Sequence, residues 1–149
     1  MGVCTLCELH KTCKTVNMSP DGRGPIVFLG EAPGSEEDAR GKPFIGQSGA
    51  LLRRMVKLLG LDEADIRFTN AVRCHPPGNK TPKKSIVKAC QVHLKAEFED
   101  HPPAIIVPLG NTALEALRLA GLLNLPGKIT ALNSKAIENG DGPTIYPVF

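Results

Sequence analysis

Four short apolar runs recur along the chain with helical patterns between them, and no other feature limits the fold as strongly. Residues 26–29 (Ile-Val-Phe-Leu), 66–69 (Ile-Arg-Phe-Thr), 105–107 (Ile-Ile-Val) and 144–146 (Thr-Ile-Tyr) read as strands, the first as a fully buried one. After Ser48, the residues Leu51, Leu52, Met55, Leu58 and Leu59 repeat at helical spacing until Gly60 supplies a stop. Thr81-Pro82 reads as the N-cap and first turn of a second helix, with Ile86, Val87, Cys90, Leu94 and Phe98 on one face. A third helix is expected over residues 112–122, and the Gly/Asn-rich stretch 133–142 reads as a surface loop. Strands alternating with helices predict a parallel sheet covered on both faces, because a parallel neighbour needs a crossover connection. Ligand-binding loops are then expected at the carboxyl ends of the strands.

A chain of 149 residues is long enough for one domain with a real core, taken as 1–149. Its 42% hydrophobic and 22% charged residues exclude a disordered or fibrous protein. Polar residues Cys4, Glu8 and Lys11 stand near the start, and no apolar stretch approaches about 18 residues. An intracellular, cytoplasmic protein without membrane contact is the expectation, with a monomer as the default. The net charge of +3 announces no nucleic-acid binder. Its distribution is uneven: residues 66–96 contain no acid but carry Arg67, Arg73, Lys80, Lys83, Lys84, Lys88 and Lys95. Such a basic segment is either a phosphate-facing patch or a solvated helix face.

Five cysteines without an export signal point away from a disulfide framework and toward metal or redox chemistry. Cys4 and Cys7 form a C-x-x-C, which sets two thiolates within reach of one metal, and Cys74 and Cys90 could complete a four-sulfur site. Four thiolates suit zinc and an iron-sulfur cluster equally. The plain alternative makes Cys90 a core residue on its helix and Cys74 a buried loop thiol.

The stretch GEAPGSEEDARGKPFIGQSGALL starts at Gly30, at the end of the first expected strand. Together with TNAVRCHPPGNKTP and CTLCELHKTC, it closely resembles the family 4 uracil-DNA glycosylases, the iron-sulfur members of the uracil-DNA glycosylase superfamily. The motifs occur in matching order over nearly the whole chain. The resemblance implies a three-layer α/β/α fold with a central four-stranded parallel sheet. It also implies a DNA repair enzyme that flips uracil out of DNA and hydrolyses its N-glycosidic bond, leaving an abasic site.

Residue roles follow from the same resemblance. Phe44 looks like the ring on which the flipped base stacks, against a plain core reading. Asn70 looks like the reader of uracil's Watson-Crick edge, since a carboxamide offers a donor and an acceptor, against a plain turn reading. Gly30 and Ala32 would let the backbone approach the substrate. Glu31 is the first candidate for the carboxylate that stabilises the oxocarbenium-like sugar and holds the attacking water, and Glu37 the second. Glu36 and Asp38 are read as solvated acids at a helix start. Cys4, Cys7, Cys74 and Cys90 fall on the family's four cluster ligands, which implies a [4Fe-4S] cofactor with zinc as the alternative; Cys13 has no counterpart.

Family members carry a motif beginning His-Pro after the last strand, and this sequence ends at Phe149 where that motif should begin. His10, His75, His93 and His101 hold no matching position. The domain is therefore expected to be C-terminally incomplete, as a truncated form, a degenerate protein or a fragment. Two functions stay open at this level: a uracil-DNA glycosylase, or a non-catalytic iron-sulfur DNA-binding or replication-associated module with the same fold.

Overall fold

A computed structural model describes residues 3–148, so Phe149 of the closing segment lies outside the described residues. Four parallel strands form one sheet: β1 (Ile26–Gly30), β2 (Ile66–Asn70), β3 (Ile105–Pro108) and β4 (Thr144–Ile145), in the order β2-β1-β3-β4. Ile26 pairs with Ile66 on one side and with Ile105 on the other, and Gly30 pairs with Asn70. Among the described residues, five α-helices accompany the sheet: α1 (Ser35–Arg40), α2 (Gln47–Leu58), α3 (Lys84–Asp100), α4 (Asn111–Leu119) and α5 (Ile129–Leu132). None is long and apolar enough to cross a membrane.

The alternation of side chains along a strand creates the layers. Val27 and Leu29 of β1 join a core with Ile106 and Ile145, the α3 residues Leu94 and Phe98, and the α4 residues Leu114 and Leu117. Phe28 points the other way and packs with Ile66, Phe68 and the α2 residue Val56. The result is the expected three-layer α/β/α arrangement around a four-stranded parallel sheet. Each fully buried Leu or Ile contributes on the order of 1.5–3 kcal/mol, so the α3–α4 layer dominates the stability of the domain.

Local details differ from the sequence reading. The apolar stripe of α2 is mostly not its buried face: Val56 is buried and Leu52 packs half-buried beside it, while Leu51, Met55, Leu58 and Leu59 are 52–77% exposed. The Thr81-Pro82 pair does not cap α3, which starts at Lys84 with Lys83 at the N-cap and no side-chain cap bond. Asp38 is buried rather than solvated; its carboxylate accepts the backbone N–H groups of Lys14 and Thr15 at 2.8–3.0 Å and ties the N-terminal segment to α1. A charged hydrogen bond of this kind compensates a buried carboxylate.

Candidate active site

The chain leaves β1 for β2 on one side and later reaches β3 on the other, so the carboxyl end of β1 faces a crevice at a topological switch point. A cleft of about 760 Å³ opens there, lined among others by Gly30, Glu31, Ala32, Glu37, Phe44, Asn70 and Lys80. Six residues named from the sequence for substrate or catalysis thus share one cavity.

Gly30 is what lets them meet. A Cβ at this position would stand 2.5 Å from Asn70 Oδ1 and 2.6 Å from Phe44 Cζ. Asn70 is 5% exposed, and among the described residues its carboxamide has no protein hydrogen-bond partner. The residue lines the cleft, and its amide atoms are not among the buried unpaired ones, so the carboxamide is open to pair with a ligand edge.

Phe44 adopts a left-handed backbone, φ +55°, which is strained for a bulky residue. Three features hold it there. Arg53 donates from Nε to the Phe44 carbonyl at 2.8 Å and from Nη2 to the Pro43 carbonyl at 2.9 Å, while also pairing with Asp21. Its guanidinium lies 4.1 Å from the Phe68 ring centroid, and the Phe44 and Phe68 centroids are 5.5 Å apart. Gly49, in the first turn of α2, leaves no room for a side chain, since a Cβ would come within 2.3 Å of the Phe44 backbone. Sequence reasoning missed Arg53 and Gly49, because a polar residue and a glycine on a helical pattern carry no spacing signal.

The two candidate carboxylates have different surroundings. Glu37 is buried in α1, and its Oε1 accepts the backbone N–H groups of Ile45 at 3.0 Å and Gly46 at 2.7 Å, bracing the loop that carries Phe44. Glu31 is half-buried in the cleft, and its Oε2 accepts from the Thr112 hydroxyl at 2.5 Å. The loop of residues 31–34 is tied from the side by His75, whose Nδ1 donates to the Pro33 carbonyl at 2.9 Å. Thr112 and His75 were also invisible in the sequence.

The basic segment divides in two. Arg67 and Arg73 are buried rather than surface-facing, and both pair with Glu97 of α3, Arg67 at 3.3 Å. Burial pulls the Arg67 pKa below its usual value, with Glu97 opposing that shift. Glu97 stands one position beyond the acid-free window, so a count along the sequence could not find it. Lys80, Lys83, Lys84, Lys88 and Lys95 are exposed, and Lys84 pairs with Glu115.

The cofactor expectation needs correction. Cys4, Cys7, Cys74 and Cys90 do line one void together with His93, yet among the described residues no group of three or more His, Cys, Asp or Glu side chains could hold a metal ion. Neither the [4Fe-4S] cluster nor zinc fits this arrangement. The void measures about 10 Å³, room for about one water at most. Burial pushes the Cys74 thiol up to about 12 and raises Cys90 as well. The Cys4 sulfur is engaged with His93 Nε2 at 3.1 Å.

Comparison with known proteins gives the family. Residues 17–148 match the model of the uracil DNA glycosylase superfamily. The chain is similar to type-4 uracil-DNA glycosylases from three organisms. It is 41% identical to that of Saccharolobus solfataricus over 97% of this chain and 70% of the relative. It is 41% identical to that of Archaeoglobus fulgidus over 75% and 57%, and 36% identical to that of Thermotoga maritima over 98% and 74%. The chain thus spans between 57% and 74% of the length of these relatives. It belongs to the uracil DNA glycosylase superfamily, within the type-4 group.

Proposed function

We propose that the chain is a DNA repair glycosylase that takes a flipped-out uracil into the cleft and hydrolyses its N-glycosidic bond. Superfamily membership supports a glycosylase in general terms. The observation that carries the finer reading is the unpartnered, 5% exposed Asn70 carboxamide meeting the Phe44 ring over the bare Gly30 backbone, with Glu31 beside them. Phe44 offers a stacking face held in place by Arg53, and Asn70 offers one donor and one acceptor to the edge of the base.

In the reaction, the bond between C1′ of the sugar and N1 of uracil breaks and its electron pair leaves on the base. Glu31 faces the positive charge that develops on the sugar and orients a water. The water oxygen bonds to C1′, and its proton passes through the carboxylate toward the uracil anion, leaving an abasic sugar and free uracil. Glu37 serves instead to hold the Phe44 loop, its buried carboxylate accepting two backbone N–H groups of that loop. The exposed Lys80, Lys83 and Lys88 supply phosphate contacts that carry no sequence information, as a monomeric intracellular enzyme searching DNA for a single base requires.

The test is uracil release from a labelled oligonucleotide by the chain and by Glu31→Gln. Release that drops about 100-fold or more in the variant, with the melting temperature unchanged, is the expected result. Equal release from both proteins would remove Glu31 from the chemistry. No release by the folded chain would overturn the reading of this chain as an enzyme.

A further inference from the structure

The hydroxyl of Thr112 is spent in an unusual way. Thr112 is the second residue of α4, whose N-cap is Gly110 at φ +88° without a side-chain cap bond. A threonine this close to a helix start commonly serves its own helix. Here its Oγ1 donates across 81 positions of sequence to Glu31 Oε2 at 2.5 Å. The topology makes this reach possible. Leu29 of β1 is paired with Pro108 of β3, and Leu109 N–H continues the ladder to the Leu29 carbonyl at 2.8 Å, which sets the first turn of α4 beside the loop after β1.

Glu31 is therefore held from two sides. Val72 N–H donates to its backbone carbonyl at 2.9 Å from the β2 side, and Thr112 grips one carboxylate oxygen from the α4 side. With Oε2 occupied, the carboxylate loses rotational freedom and its Oε1 is left for whatever occupies the cleft. The bond is charge-assisted, hydroxyl to carboxylate, and so strong for its type.

We infer that Thr112 is a positioning residue that orients the Glu31 carboxylate toward the cationic sugar. This rests on the reading of Glu31 given above and adds to it a residue from a different element. Thr112 touches neither base nor sugar; it acts through Glu31. A serine can make the same bond, whereas valine keeps the shape of threonine and removes the donor.

The experiment compares binding of two oligonucleotides, one with a cationic pyrrolidine and one with a neutral tetrahydrofuran in place of the abasic sugar. Preference for the cationic probe reads the carboxylate directly and does not depend on turnover. The proteins are the unsubstituted chain, Thr112→Val, Thr112→Ser and Glu31→Gln. Thr112→Val is expected to reduce the preference about tenfold at unchanged melting temperature, with Thr112→Ser within about threefold of the original and Glu31→Gln abolishing the preference. If Glu31→Gln abolishes the preference and Thr112→Val retains it, the inference fails while the reading of Glu31 stands. If Glu31→Gln retains it, the reading of Glu31 fails and the inference with it. A loss in Thr112→Val that Thr112→Ser shares in full would assign Thr112 a packing role and overturn the inference.

Discussion

Gly30 shows how a missing side chain can organise a site. Asn70 and Phe44 both occupy the volume where its Cβ would be, at 2.5 and 2.6 Å. Gly30→Ala is expected to push them apart by an ångström or so and to lower uracil release by about 100-fold, measured against Glu31→Gln in the same assay. Gly30, Glu31, Phe44 and Asn70 were legible because they lie in or near one continuous motif or at its paired strand end. The residues that hold them were not. Thr112 reaches Glu31 from 81 positions away, and Arg53 reaches Phe44 from the far side of a helix turn. Such pairings have no local pattern, since they arise where separate elements meet. Asp38 also belongs here: it looked like a solvated acid at a helix start, and it is buried because the backbone N–H groups of Lys14 and Thr15 turn toward it.

Among the elements, α3 is the one whose sequence pattern was most complete and whose charge pattern was most misleading. Its apolar face of Ile86, Val87, Cys90, Leu94 and Phe98 is buried as periodicity indicated. Its Glu97 is also buried, pairing with Arg67 and Arg73 and accepting from the Thr69 hydroxyl at 2.9 Å, so α3 is bolted to β2 and to the segment after it. Two guanidiniums facing one carboxylate leave no slack. Glu97→Ala strands both in a buried site and is expected to cost about 3–5 kcal/mol, read as a fall in the urea midpoint. A midpoint shift below about 1 kcal/mol would mean that solvent reaches the arginines. The opposite mismatch occurs in α2, where the apolar stripe was plain in the sequence but, of its members, Leu52 alone packs, half-buried, against the cluster of Phe28, Val56, Ile66 and Phe68. Helical period states which residues share a face. It does not state which face the sheet receives.

On the scale of the molecule, the exposed α2 face adjoins the mouth of the cleft, which Leu51 and Met55 help to line. Leu58, farther along the same helix, is 77% exposed. Leu58→Gln is therefore expected to change stability by no more than about 0.5 kcal/mol in a thermal melt, unlike any substitution in the α3–α4 core. A loss of about 2 kcal/mol would show that this face is covered in solution. The sequence by itself determined the layered α/β class, the succession of strands and helices, and the motif residues of the cleft, because period and motif are local properties of the chain. Only the tertiary structure decided which arginines face solvent, which carboxylates are buried, and what becomes of the cysteines. Their spacing brings Cys4, Cys7, Cys74 and Cys90 to one void, yet the void has room for about one water and, among the described residues, no group of three or more His, Cys, Asp or Glu side chains could hold a metal ion. Distances and burial between remote segments settle those questions, and no pattern along the chain encodes them.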